Sequence, residues 1–280
     1  MTTLREQLEG IKSLPALPST VVRLIRGLGG QGLSAEELES IVKTDEAISA
    51  VVLRMANSAQ QGQTERPFTL HESVARLGSR VLQKIAISQQ CRAALSKGDS
   101  GHGLSRAQAW VGALGGALAA EEIARQTEIS DPSVVFVGAL LRDIGKMAMD
   151  ELIGVDALRR AFSGASEGET EVGVERGQFA LDHAEVGGEL AGLWGLPTEI
   201  QRSIQFHHAP DSAEEADRPT CDVVHCADAV ATWMGLGVGH KELICPISAR
   251  ARDAVGMDAE AAEVYMVATK DALDKLMGGG

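Results

Sequence analysis

The hydrophobic positions along this chain recur at three- and four-residue intervals from end to end, and polar caps punctuate them. Ser34-Ala35-Glu36-Glu37 is a capping-box pattern, in which a Ser hydroxyl and a Glu carboxylate satisfy each other's free amides at a helix start. Leu38, Ile41 and Val42 follow as an apolar stripe at helical spacing. Asp45 opens a second helix with Ile48, Val51, Val52 and Met55 on its buried face. Thr69-Leu70-His71-Glu72 repeats the box, Val74 and Leu77 face inward, and Gly78 stops the helix. Ser79 starts the next, with Leu82, Ile85 and Ala86 inward.

A polar, glycine-rich break over Ser96-Lys97-Gly98-Asp99-Ser100-Gly101 divides the chain into a smaller N-terminal helical part, 1–97, and a larger one, 98–280. Ser105 then caps a long helix through Trp110 to Ile123. Gly112, Gly115 and Gly116 lie inside it; each costs about 1 kcal/mol against Ala, so their presence implies close backbone packing. Asp131-Pro132 is an N-cap followed by Pro at the first helical position, leading into Val134–Leu141. Residues 163–177, rich in Gly, Glu and Ser, read as a solvated loop. Asp182-His183-Ala184-Glu185 caps a helix carrying Val186, Leu190, Leu193 and Trp194 and ending near Gly195. Pro197-Thr198 opens one with Ile200, Ile204 and the pair His207-His208, and Pro219-Thr220 one through Val224, Asp228 and Trp233. Asp258 caps a last helix to about Met277, before a frayed Gly278-Gly279-Gly280. The expected fold is an all-α multi-helix bundle.

Composition agrees with that class. Aromatic residues make up 3% of the 280 positions, and a core of small aliphatics suits close-packed helices better than strands. The net charge of −13 repels a phosphate backbone, so no nucleic-acid partner is expected. No apolar run is long enough to span a bilayer, and MTTLREQLEG has no signal-peptide character. Cys91, Cys221, Cys226 and Cys245 contain no CxxC pair and read as buried free thiols. The expectation is a cytoplasmic protein with no membrane contact.

Phosphate-binding glycine loops and the GxSxG elbow are absent. The chemistry-bearing candidates are Asp143, His183, His207, His208, His225 and Asp228. Acids and imidazoles on successive helices of a bundle can converge on a metal, although a single helical His is more often structural. Adjacent His207 and His208 face two ways on a helix, so at most one is expected to look into a site. Cys221, His225, Cys226 and Asp228 imitate a zinc cluster, but five residues of helix separate the two thiols. Lys146, one turn after Arg142, could join it on a phosphate; pairing with nearby acids is the commoner fate of such residues.

Several segments, taken in order, resemble the HDOD family. They are Leu14-Pro15-Ala16-Leu17-Pro18, Ile41–Asp45, Leu53–Ser58, Val74–Gly78, Trp110, Gly138–Lys146, and Asp182–Gly187 with Trp194 and Leu196-Pro197. The resemblance covers about 10–235. It implies a helical fold related to the HD phosphohydrolase superfamily and a role in bacterial signalling, often without enzyme activity. That superfamily holds a divalent metal on a His, a His-Asp pair and a later Asp. Asp143 matches the Asp of the pair and Asp228 the last Asp; Arg142 replaces the paired His, and Val111-Gly112-Ala113 stands where the first His is expected. His183 and His207 or His208 match positions of extra ligands in the dinuclear HD-GYP relatives.

Two carboxylates without their imidazoles hold a divalent ion loosely, and a guanidinium that never deprotonates opposes it. Either Arg142 replaces the metal by pairing with Asp143 or Asp228, or it points to solvent. The reading adopted is a non-catalytic signal-transduction domain that binds a protein partner or a small signalling ligand, with no metal and no cofactor. Arg142, Asp143, Lys146, His183, His207, His208 and Asp228 are its vestigial-site or pocket candidates. A metal-dependent phosphohydrolase with an atypical ligand set is the alternative, and an assembly protein acting as a homo-oligomer a third.

Overall fold

The computed structural model of the protein describes residues 3–11, 14, 16–29, 33–58, 66–95, 100–239 and 246–277. Pro15, the segment 96–99, Cys245 and the terminal glycines therefore lie outside the described residues. Among those described, the regular structure is helical. The N-terminal half contains α1 (Leu4–Glu9), α2 (Ser19–Arg26), α3 (Ala35–Thr44), α4 (Glu46–Ser58) and α5 (Leu70–Leu95). The second half begins with α6 (Arg106–Thr127), α7 (Pro132–Leu141), α8 (Ile144–Met149), α9 (Val155–Ser163) and α10 (Glu171–Phe179). It continues through α11 (His183–Leu193), α12 (Thr198–Gln205), α13 (Arg218–Trp233), α14 (Ala249–Ala254) and α15 (Ala259–Met277).

Capping chemistry sets most of these starts. Ser34 and Glu37 close the capping box of α3, and Ser105 and Gln108 that of α6. Thr69 and Glu72 exchange the same two bonds at the head of α5. Asp131 accepts from the amides of Ser133 and Val134, and Asp182 from that of Glu185. Gly78, with φ of 75°, breaks α5 into the two consecutive helices that the sequence predicts.

Buried Leu, Ile, Val and Ala side chains from Leu8 to Tyr265 form a continuous core through both halves. The long helix α6 runs along its centre, packed by α7, α13 and α15. The glycines inside α6 have the packing reason that their cost implies. A Cβ on Gly112 would stand 2.5 Å from the Gly237 Cα, and one on Gly116 would stand 2.3 Å from Arg142 Nη1. No helix among the described residues is long and apolar enough to cross a membrane.

Two expectations are corrected. Only the centre of 163–177 is a loop: α9 reaches Ser163 and α10 begins at Glu171, with Val174 and Glu175 buried. Thr170 caps α10 by accepting from the Gly173 amide. The helix is polar by sequence, and its buried carboxylate, Glu175, is balanced by His102 and His183 from outside it. Second, α12 ends at Gln205, so His207 and His208 lie in the turn beyond it. They are thereby released from the helical spacing that would send them apart.

The closest approach joins α8 to α11. A Cβ on Gly145 would sit 1.8 Å from the His183 carbonyl oxygen and 2.6 Å from the Gly187 nitrogen. Backbone on both sides leaves no side chain to move aside. Gly145→Ala is expected to destabilise the fold by about 3 kcal/mol or more, the upper range for overpacking, as measured by denaturant unfolding.

Candidate functional site

Four elements deliver the candidate residues to one place. Arg142 and Asp143 occupy the turn between α7 and α8, Lys146 lies in α8, and His183 is the first residue of α11. His207 and His208 follow α12, and Asp228 projects from the middle of α13. The seven meet around a cavity of about 240 Å³, to which Arg142, Asp143, Lys146, His208 and Asp228 contribute wall. Glu171 and Arg176 of α10 and the Leu236–Gly239 loop complete it.

Arg142 does not point to solvent; it is 3% exposed. Its Nε donates to Asp228 Oδ1 at 2.7 Å and lies 3.3 Å from Asp143 Oδ2. Its Nη1 donates to the Ala139 carbonyl at 2.9 Å and its Nη2 to that of Gly112 at 3.4 Å. Gly116 leaves the space in which the guanidinium lies. The segment where the superfamily's first His is expected thus supplies a carbonyl acceptor, and Gly116, one turn further on, the room for an arginine. A monovalent, non-exchangeable cation sits between the two acids.

Lys146 extends the alternation of charge. Its Nζ lies 3.0 Å from Asp143 Oδ1 and 2.8 Å from Glu171 Oε2. Both basic candidates are therefore committed to local carboxylates. Burial alone would raise the Asp143 carboxyl, but Lys146 and Arg142 hold it well below the usual range. At Asp228 burial is likewise outweighed, chiefly by Arg142, and the carboxyl titrates at about 2.

The histidines form a second group. His183 Nε2 stands 3.1 Å from His208 Nε2, and the His207 and His208 rings lie 4.0 Å apart between centroids. Both members of the adjacent pair stand beside His183, but His208 lines the cavity and His207 is fully buried outside its lining. Burial and the neighbouring imidazoles push His207 well below its usual value and His208 down to about 4, so both are neutral at pH 7. His183 is the opposite case: burial lowers it, but Glu175 more than compensates and raises it to about 9. His225 takes no part; it bridges the His207 carbonyl and the Ser248 amide.

Glu175 and His102 are the residues that sequence reasoning missed. Glu175 accepts from the His183 amide at 2.9 Å and pairs with its Nδ1 at 2.7 Å. His102, from the segment leading into α6, meets the other Glu175 oxygen at 3.0 Å. A buried Glu within a Gly- and Glu-rich stretch offers no signal until a helix is assigned there.

The superfamily's metal can be tested against these residues. Asp143 and Asp228 do not fit it, because Arg142 fills the space between them. The donor atoms of His183, His207 and His208 all lie within 4.8 Å of one another, with two of the imidazoles neutral; this set fits a borderline ion such as zinc.

The Asp228–Arg142 pair carries a pH signature. A carboxyl that moves from 3.8 to about 2 on folding contributes stability that is complete above pH 4 and lost as pH falls through 2. The stability gap between the wild type and Asp228→Asn is expected to shrink by about 2 kcal/mol between pH 5 and pH 2, read by urea unfolding at each pH.

Known proteins share this architecture. A solved HDOD domain protein from Geobacter sulfurreducens superposes with a TM-score of 0.81 at 24% identity, covering 98% of this chain and 96% of that one. A candidate phosphohydrolase from Shewanella amazonensis SB2B superposes at 0.68 with 22% identity, covering 96% and 95%. A candidate signal transduction protein from Marinobacter aquaeolei VT8 also reaches 0.68, with 18% identity, covering 98% of this chain and 63% of its own. At these identities the likeness establishes the fold alone. A protein of unassigned function from Treponema pallidum (strain Nichols) is 25% identical over 236 residues, or 80% of this chain; the chain spans 43% of that relative's length. The HDOD domain family matches residues 14–210, well over half of the chain, and the protein belongs to that family.

Proposed function

We propose that this chain is a non-catalytic regulatory module whose pocket takes a small polar signalling ligand, or a polar group offered by a protein partner. The observation that carries this reading is the guanidinium between Asp143 and Asp228. Hydrolysis on a metal needs an ion that lowers the pKa of its bound water and keeps an open position for substrate. A buried arginine supplies charge without a coordination sphere, and it has no proton to give or take at pH 7. Asp228, held ionised by it, and Asp143, held ionised by Lys146 and Arg142, are poor general acids.

What the pocket retains is suited to binding. Arg142, Lys146 and Arg176 alternate with Asp143, Glu171 and Asp228 around the cavity, so its surface offers donors and acceptors in close succession. Such a lining favours a ligand that carries both kinds of group over a simple anion. Formation or breakage of an ion pair on binding is the event a regulatory domain can transmit. The full protein is expected to show no metal-dependent hydrolysis of bis(p-nitrophenyl) phosphate or p-nitrophenyl phosphate with added manganese, iron or zinc. Turnover that disappears in both Asp143→Asn and Asp228→Asn would overturn the reading.

One observation favours a second reading, a phosphohydrolase with an atypical ligand set. The Nε2 of His207 is buried without a hydrogen-bond partner, and a buried unsatisfied nitrogen beside two other imidazoles is what a metal ligand looks like when apo. When bound, an ion there would supply Lewis acidity, with His183, His207 and His208 as its holders. Against it stand three cations nearby: Arg142, Lys146 and a His183 held charged by Glu175. On balance the three histidines are expected to bind cobalt(II) weakly, with no tetrahedral d–d absorption near stoichiometric metal. An intense visible band that His207→Gln removes would make the second reading the better one.

A further inference from the structure

The buried carboxylate of Glu175 enters the readings above only through the charge of His183, yet among the described residues no charged group is more completely enclosed. It is 0% exposed, and its partners come from two separate parts of the chain. One oxygen is bound twice by His183, through the backbone amide at 2.9 Å and Nδ1 at 2.7 Å. The other meets His102 Nε2 at 3.0 Å. His102 is 1% exposed and lies in the stretch just before α6, where its Nδ1 faces Asp150 Oδ1 at 3.6 Å. Asp150 also accepts from the Gly101 amide at 2.8 Å and from Arg106 at 2.6 Å. Arg106, Asp150, His102, Glu175 and His183 therefore form a line of alternating charge-bearing groups, hydrogen-bonded at every step except the 3.6 Å ion-pair contact between Asp150 and His102. It runs from the head of α6 to the pocket.

The line has a direction fixed by its atoms. With Nδ1 committed to Glu175, the His183 ring can turn only its Nε2 toward the cavity, where it meets His208 Nε2 at 3.1 Å and Asp143 Oδ1 at 3.6 Å. A carboxylate behind an imidazole that sets which nitrogen faces the site is a general device of functional histidines. Here the carboxylate is itself held by a second imidazole from a different part of the fold.

We propose that Glu175 is the positioning residue of the pocket, and that His102, by holding Glu175, links the segment leading into α6 to the pocket histidines. This deepens the binding-module reading by naming how the site is held and from where it is adjusted. It needs no ligand to be tested, so its failure is separate from that of the turnover assay. Glu175 touches nothing in the cavity directly; it acts through His183.

The experiment is a long-range ¹⁵N–¹H spectrum of the histidine rings in the full-length protein. In the wild type, the proton on His183 Nδ1 is expected as a downfield signal protected from exchange, and its absence would overturn the proposal. Glu175→Gln is expected to move the His183 Nδ1 resonance and also those of His208, which Glu175 does not touch. His102→Leu is expected to shift the same resonances, and His102→Gln, which retains a donor for Glu175, to return them toward wild-type positions. Should Glu175→Gln not fold, the two His102 variants carry the test. A loss of stability in these variants with the His183 and His208 signals unmoved would show a merely structural role and sink the proposal.

Discussion

The rest of the site depends on a single buried cation. Arg142 enters the interior at the turn between α7 and α8 and is enclosed there with two carboxylates, Asp143 and Asp228. Removing a charge from water costs several kcal/mol even after relaxation, and the fold meets that cost locally. Asp228 gives Nε a close partner, the Ala139 and Gly112 carbonyls take the terminal nitrogens, and Gly116 withholds a side chain from the space. None of these groups is dispensable while the guanidinium is inside. The same cation keeps Asp228 ionised and joins Lys146 in doing so for Asp143, and Lys146 in turn pairs with Glu171.

Read outward from Arg142, the interior is a sequence of opposed charges with few loose ends. One of them is the His207 Nε2, buried with no hydrogen-bond partner beside His183 and His208. The two halves of the site are thus in different electrostatic states. Around Arg142 the acids are neutralised and the geometry is closed. Around the histidines two neutral rings and one charged one are packed together, with His208 on the cavity wall and the His207 Nε2 unpartnered. A ligand that engages His208 or Asp143 alters the second group without having to dismantle the first.

Much of the fold is legible in the sequence because its signals are local. A Ser or Asp followed three residues later by a Glu, Gln or free amide sets a helix start wherever it occurs, so the heads of α3, α6, α7 and α11 are read directly. The three glycines of α6 announce close packing for the same reason, since their cost in a helix is intrinsic. What the sequence hides is non-local. α10 looks like a solvated loop because Glu175 is polar by type, and only its histidine partners, 73 and 8 residues away, make it a core residue. His207 and His208 look divergent because the end of α12 at Gln205 is set by packing, with no Gly or Pro at the boundary. Arg142 was open between inside and outside for a related reason: its acceptors include Gly112, which is 30 residues distant, and Asp228, which is 86.

Arg142 and Asp228 form a buried pair, and the proposed function rests on their being coupled where the superfamily would hold its metal. A double-mutant cycle on Arg142→Met and Asp228→Asn, read by urea unfolding at pH 7, tests it most directly. Each single variant leaves a charge or an acceptor buried without its partner, and the double variant removes both. A coupling of about 2–3 kcal/mol is expected, the upper range for residues in direct contact, with the double variant less damaged than the sum of the singles. Additivity within about 0.5 kcal/mol, as found for independent sites, would mean that the two do not depend on each other and that the guanidinium has not taken the metal's place.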